Sequence, residues 1–154
     1  IKENELFLDP FCGTGGLLIE AGMIGVRVIG IDVQEQMVRG TAENLNFYGL
    51  TGDLIVGDAA KTSLRDKCID AIATDMPYGR SSLIAQSCFA PSLERLFPDA
   101  LAEIHRLLKP GGKAVIVSNF PYSRSPEHFF RALETYVYRV HKSLNRHITV
   151  LKKA

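Results

Sequence analysis

The chain has 154 residues, 46% of them hydrophobic and 23% charged, with 18 Lys and Arg against 17 Asp and Glu and a net charge of +1. That describes one ordinary globular domain with a real core, and so even a charge balance argues against a self-sufficient nucleic-acid binder. Cys12, Cys68 and Cys88 are widely spaced and odd in number, no apolar run approaches the ~20 residues of a membrane span, and no secretory leader is seen; reduced thiols, no resident metal, no membrane and a cytoplasmic setting are expected.

Short apolar runs alternate with helical periods along the chain. Glu5 to Leu8 reads as a first strand and Gly15 to Ile24 as a helix, with Leu17, Leu18 and Ala21 on one face. Val26 to Ile31 is a β-branched second strand. From Gln34 to Tyr48, Met37, Val38, Thr41, Ala42 and Leu45 recur at helical spacing, and Gly49 follows as a C-terminal cap. Leu54 to Val56 and Ile69 to Thr74 are the third and fourth strands. A helical stripe runs through Leu93, Phe97, Ala100, Leu101, Ile104, Leu107 and Leu108. Pro98 predicts that this helix starts or kinks there, and Lys109-Pro110-Gly111-Gly112 ends it. Ala114 to Val117 is a fifth strand, a helix is expected near Pro126 to Thr135, and strands near Tyr138 to Ser143 and Ile148 to Leu151 close the chain.

This alternation predicts a doubly wound α/β sheet of seven strands, mostly parallel, with helices on both faces. The last two strands are joined by too few residues for a parallel crossover, so the C-terminal pair is antiparallel. No repeat or linker divides the chain, so residues 1–154 form one domain. Val137 to Ala154 carries Arg139, Lys142, Arg146, Lys152 and Lys153 and no acid. It is either a phosphate-touching tail or a solvated edge hairpin whose charges discourage edge pairing.

In an open parallel sheet, ligands bind beyond the carboxyl ends of the strands. The first strand leads into Asp9-Pro10-Phe11-Cys12-Gly13-Thr14-Gly15-Gly16, whose glycines allow a ligand close to the backbone. The second ends at Asp32, nineteen residues after Gly13, the third at Asp58-Ala59, and the fourth at Asp75. One such acid is ordinarily a cap or turn-starter, and Asp58 alone reads that way. Four together with a glycine-rich first loop point to a nucleoside-type ligand. The loop lacks both the dinucleotide glycine spacing and a phosphate-binding lysine, and Asp9 would repel a pyrophosphate. Asp9 suits a ligand carrying an ammonium or sulfonium group, and S-adenosyl-L-methionine carries both. Asp32 would then hold its ribose, and Asp58-Ala59 would meet its adenine amine.

The run Asp9 to Gly16 with Ile19-Glu20-Ala21 resembles the cofactor motif of class I methyltransferases that modify exocyclic amines, and Asp75-Met76-Pro77-Tyr78 resembles their Asp/Asn-Pro-Pro-Tyr/Phe catalytic motif. Gly79-Arg80-Ser81-Ser82 narrows the resemblance to the tRNA guanine-N2 methyltransferases acting at position ten. The resemblance covers nearly the whole chain and implies a Rossmann-like class I fold. It implies a cofactor site of Asp9, Phe11, Cys12, Gly13, Thr14, Gly15, Asp32, Val33, Asp58 and Ala59. It also implies catalysis by Asp75, Met76, Pro77 and Tyr78, and base or phosphate contacts from Gly79, Arg80 and Ser81. The Asp75 carboxylate and Met76 carbonyl would accept the amine hydrogens, while Tyr78 stacks on a base taken out of its helix. Met76 stands where the family has proline, which leaves the backbone freer. The family further implies a tRNA partner, an N-terminal THUMP-type RNA-binding region before Ile1, and a small activating protein subunit. The chain is therefore expected to be the catalytic part of a longer enzyme, weakly active or inactive alone.

Two other readings remain open. The same motif serves DNA adenine-N6 and ribosomal-RNA guanine-N2 methyltransferases, and a cofactor fold can also be a non-catalytic module that binds RNA or a partner. His105, His128, His141 and His147 do not cluster and are read as structural. Cys12 is read as a small loop residue, and Asn119-Phe120-Pro121-Tyr122 as a strand-end loop lining the base pocket.

Overall fold

The apolar runs pair edge to edge because each has a face to bury on either side. The structure, a computed structural model, describes residues 1–77, 93–122, 130–142 and 144–154. Its elements are β1 (Leu6–Asp9), α1 (Gly16–Met23), β2 (Arg27–Asp32), α2 (Glu35–Phe47), β3 (Gly52–Val56), β4 (Ile69–Asp75), α3 (Leu93–Leu107), β5 (Leu108–Ser118), β6 (Phe130–His141) and β7 (Leu144–Lys153). The seven-stranded sheet has the order β3-β2-β1-β4-β5-β7-β6. All described pairings are parallel except those of β7, which runs against both β5 and β6.

Alternation along the strands builds two cores. Phe7 and Val28, side by side on β1 and β2, pack with Leu18 and Ala21 of α1 and Leu45 of α2. Their neighbours Leu8 and Ile29 point the other way, joining Ile72 and Ile116 against Phe97, Ala100, Leu101 and Ile104 of α3. The helices therefore flank the sheet on both faces, as the alternation requires. The strand order reverses between β1 and β4, which opens a crevice at their carboxyl ends.

The α2 helix stops as the sequence predicts. Gly49 adopts φ +67, its N–H bonds to Asn46 O, and Leu50 N–H bonds to Leu45 O, the paired bonds of a Schellman ending. One expectation is narrowed and two need correction. The third helix begins at Leu93, and Pro98 lies inside it. The Lys109–Gly112 breakers do not separate helix from strand. β5 starts at Leu108, and pairing jumps from Ile69–Leu108 to Ala71–Lys113, so the breakers form an excursion within β5 with Gly111 at φ +75. The helix expected near Pro126 to Thr135 is absent over its described part: Phe130 to Thr135 belongs to β6. Phe130 and Leu133 mimic helical spacing, but Phe130 is the only buried residue of the strand, and ladder bonds to β7 decide its conformation.

The basic tail also divides. Lys153 is buried, and its ammonium donates to Leu108 O at 2.8 Å and to His105 O, capping the end of α3. Arg146 pairs with Asp75. Neither is a freely solvated charge. No helix among the described residues is long and apolar enough to cross a membrane.

Gly30, in the middle of β2, is demanded by packing rather than by backbone angle. A Cβ there would lie 2.5 Å from Leu18 Cδ1, 3.0 Å from Leu54 Cδ2 and 3.1 Å from Cys12 Sγ. Leu18 is fully buried, so it cannot swing outward without losing its own contacts. Gly30→Ala is expected to destabilise the domain by about 1–3 kcal/mol, read as a lower midpoint in chemical denaturation with an unchanged slope.

Candidate active site

The first loop is shaped by two glycines and held from three sides. Gly13 and Gly15 have φ of +53 and +87, values a side chain rarely tolerates. Cys12 N–H bonds to Ile31 O at 2.9 Å and Gly15 N–H to Cys12 O at 2.8 Å, which turns the chain from β1 into α1. From α2, the Thr41 hydroxyl donates to Gly13 O at 2.8 Å and the Asn44 amide to Thr14 O at 2.8 Å. Gly15 must stay bare for a second reason: a Cβ would lie 2.8 Å from Thr41 Cγ2. At Gly13, by contrast, a Cβ would meet nothing within 4 Å, so this bend of the loop has open space in front of it.

Asp32 clamps the loop from β2. Its Oδ2 accepts from Gly13 N–H at 3.0 Å and its Oδ1 from Gln34 N–H at 2.9 Å. Each carboxylate oxygen can accept a second bond, so Asp32 can still receive ribose hydroxyls. Val33, next to it, is exposed.

Asp9 is buried at the end of β1. Its Oδ1 accepts from the Thr74 hydroxyl at 2.6 Å and from Phe11 N–H at 3.1 Å. Burial pushes its pKa up to about 6, the two hydrogen bonds oppose the rise, and the charge of Asp32 adds to it. Such a carboxylate gains most from a nearby cation. Cys12 is also buried, and its thiol is pushed up to about 12 by burial, so it stays protonated and acts as a packing residue.

At the end of β3, Asp58 is exposed and its Oδ1 accepts from Ala60 N–H at 2.8 Å, the bond of a turn-starter; Ala59 is buried behind it. The loop that carries them is tied to α3. Thr62 donates its N–H and hydroxyl to Glu103 Oε1 at 2.8 and 2.7 Å, and Arg106 holds Glu103 from the other side.

β4 ends in the acid–methionine–proline run. Asp75 stands level with Val117 of β5, and Arg146 of β7 donates to Asp75 Oδ2. Asp75 Oδ1 is buried and has no hydrogen-bond partner among the described residues. The Met76 side chain is buried in the α3-side core, and its N–H bonds to Val117 O at 2.9 Å. A proline there would have no N–H to give. The expected freedom at this position is thus removed by a strand bond and a packed side chain instead of a ring. Tyr78, Gly79, Arg80 and Ser81 lie outside the described residues, as do Cys88 and His128.

The structure brings Asp9, the glycine loop, Asp32 and Asp75 to one edge of the sheet, on the strand ends β1, β2 and β4. Of residues 119–122, Asn119 is exposed and the other three are half-buried: Phe120 packs edge-on against Phe97 with ring centroids 4.6 Å apart, and the Ser118 hydroxyl donates to Phe120 O. Sequence reasoning missed Thr41, Asn44, Thr74 and Arg146. The available signal was polarity in the wrong place, since Thr41 lies on the buried stripe of α2 and Thr74 within an apolar strand.

Comparison with known proteins agrees with this geometry. The "tRNA (guanine(10)-N2)-dimethyltransferase" of Methanothermobacter thermautotrophicus is 40% identical over 157 residues, covering 99% of this chain and 45% of that protein. The "Probable tRNA (guanine(10)-N2)-dimethyltransferase" of Methanothermococcus thermolithotrophicus is 37% identical, covering 99% of this chain and 91% of the relative. Among solved structures, TrmN from Thermus thermophilus superposes with a TM-score of 0.78 at 22% identity, covering 99% of this chain and 45% of that one, a likeness of fold. The chain thus spans less than half the length of the first of these relatives. Residues 1–151 match the family described as "RMKL-like, methyltransferase domain", and the chain belongs to that family.

Proposed function

We propose that this chain is the catalytic domain of an S-adenosyl-L-methionine-dependent RNA methyltransferase acting on the exocyclic N2 amine of guanosine in tRNA. The observation that carries the reading is the adjacency of β1 and β4. It places the glycine loop with Asp9 beside the Asp75-Met76 strand end. The names of the two relatives support the choice of tRNA guanine over DNA adenine or ribosomal RNA.

The residues present fit the cofactor. Asp9 offers a buried carboxylate to an ammonium group and Gly13 leaves room against the backbone; Asp32 would hold the ribose, and the Asp58-Ala59 turn would meet the adenine. The bound cofactor supplies an electrophilic methyl group. An exocyclic base amine is a poor nucleophile because its lone pair is spread into the ring. Asp75 and the Met76 carbonyl accept its two N–H bonds, favour the pyramidal nitrogen, and stabilise the positive charge that develops there. Asp75 then accepts the proton, directly or through water. The resemblance gives Tyr78 the role of stacking on the extruded base, Pro77 that of fixing the backbone angle, and Gly79, Arg80 and Ser81 that of contacting base or phosphate. The near-neutral charge of the chain accords with RNA affinity lying in a region beyond it. A THUMP-type N-terminal region is the expected source of that affinity, a small activating protein subunit is a further expected partner, and the expected setting is cytoplasmic.

The direct test uses the full-length protein, labelled cofactor and transcribed tRNA, followed by nucleoside digestion. N2-methylated guanosine is expected; label in DNA but not in tRNA would replace this reading with the adenine one. Asp75→Ala should lower kcat by about 10²–10⁴-fold while S-adenosylhomocysteine binding, measured by calorimetry, stays near wild type.

Asp9 yields a pH prediction. Its carboxyl is neutral below about pH 6, so it loses its attraction for the ammonium group there. Cofactor affinity should therefore weaken as pH falls through 6, by up to about tenfold per unit, and Asp9→Asn should be weak at every pH. The sign for stability is opposite. The folded, ligand-free domain holds this proton more tightly than the unfolded chain does. The stability this group contributes is therefore complete below about pH 3.8 and is lost as pH rises through about 6. Calorimetric titrations at pH 5 and 7.5 separate the two effects.

A further inference from the structure

Arg146 stands near the start of β7, the strand that runs against its neighbours. That direction brings the first residues of β7 to the edge where the parallel strands end. β5 stops at Ser118, which pairs with His147, so Arg146 lies one residue beyond the ladder and reaches over β5 to Asp75 on β4. Its Nη2 donates to Asp75 Oδ2.

Two atoms of this ion pair remain unsatisfied. Asp75 Oδ1 and Arg146 Nε are both buried without a hydrogen-bond partner among the described residues. An ion pair that only ties strands together usually has its remaining polar atoms satisfied, because a buried donor or acceptor left alone costs as much as the missing bond is worth. Here one ion pair leaves both an acceptor and a donor without a partner among the described residues, on two half-exposed side chains at the strand end to which the proposed function assigns the substrate. Their joint complement is an edge bearing a donor next to an acceptor. An amine-bearing base has one: the exocyclic N–H and the ring nitrogen bonded to the same carbon. In guanine these are N2–H and N3.

We infer that Asp75 and Arg146 form a two-point reader of the base, with Asp75 Oδ1 accepting from the exocyclic amine and Arg146 Nε–H donating to the adjacent ring nitrogen. This rests on the methyl-transfer reading above and names the partner that reading lacks. Asp75 and a backbone carbonyl alone hold the amine but leave the ring free to rotate about it. A second bond to the ring nitrogen fixes the plane of the base, and therefore the direction of the nitrogen lone pair. The charge of Arg146 is already balanced at Asp75 Oδ2, so the guanidinium adds little opposing potential where positive charge develops on the amine.

The test compares the full-length wild type with Arg146→Lys and Arg146→Gln, on tRNA carrying either guanosine or 3-deazaguanosine at the methylated position. 3-Deazaguanosine keeps the amine and replaces N3 with a C–H. Wild type should lose about 10- to 100-fold in kcat/KM on the deaza substrate. Arg146→Lys keeps a charge for Asp75 but lacks the Nε–H. It should melt near the wild-type temperature, lose a similar factor on guanosine, and show little further loss on 3-deazaguanosine. Arg146→Gln should behave likewise with a deeper loss in kcat. Three outcomes overturn the inference: wild-type kcat/KM in both variants; an equal deaza penalty in wild type and Arg146→Lys; or a loss confined to the KM for tRNA that vanishes at low salt, which would make Arg146 a phosphate contact. If the wild type forms no N2-methylguanosine at all, it is the function that fails, and the two failures cannot be confused.

Discussion

The hydrogen bond from Thr74 to Asp9 joins the two strands on which the site is built. β1 and β4 are neighbours in space but lie sixty residues apart in the chain, with α1, β2, α2 and β3 between them. Their adjacency creates the crevice, and the 2.6 Å bond between the last residue of β1 and the next-to-last of β4 aligns the two ends. It also determines the character of Asp9. A carboxylate so buried would be costlier still without the Thr74 hydroxyl and the Phe11 amide, and with them its pKa stays near 6. The group is poised to gain from a cation, which a fully solvated aspartate would not be.

Around that pair, the glycine loop is less a flexible strap than a bolted one. Thr41 and Asn44 hold its carbonyls from α2, Asp32 holds an amide from β2, and Gly15 lies so close to Thr41 that no side chain fits. Open space is left at Gly13. The same economy holds on β4. Met76 takes a position that resemblance reserves for proline, and its constraint comes from the Val117 bond and a buried side chain. The sheet and core supply by packing what the ring would have supplied covalently. The loop after β3 is likewise bound to α3 through Thr62, Glu103 and Arg106, which ties the Asp58-Ala59 turn to that helix.

β7 is the element whose direction matters most to the chemistry. Were it parallel to β5, its first residues would lie at the far edge and Arg146 could not meet Asp75. Running the other way, it sends Lys153 to cap α3 at one end of the sheet and Arg146 to Asp75 at the carboxyl end of β4 at the other. A segment that looks in sequence like a uniform basic tail is thus divided by the sheet into a helix cap, a partner for Asp75 and exposed charges.

Much of this was legible beforehand for local reasons. Period-two and period-three-to-four apolar patterns mark β1 through α2, because each element there buries one face and the pattern records which. Gly49 marks a helix end because its positive φ is local. The four strand-end acids were visible because parallel strands must all end at one edge. The errors share one cause. Phe130 to Thr135 carries a helical spacing and Lys109 to Gly112 the composition of a break, but both are decided by pairing with another strand: β7 in one case, β4 in the other.

The amino-acid sequence by itself determined the fold class, the glycine loop and the acids at the strand ends, since these depend on local periodicity and on residue chemistry. Only the tertiary structure decided that Asp9 is held by Thr74, that Met76 is pinned without a proline ring, and that Arg146 meets Asp75. Those depend on which strands become neighbours and in which direction they run, and hydrogen bonds between distant segments leave no period in the sequence from which to read them.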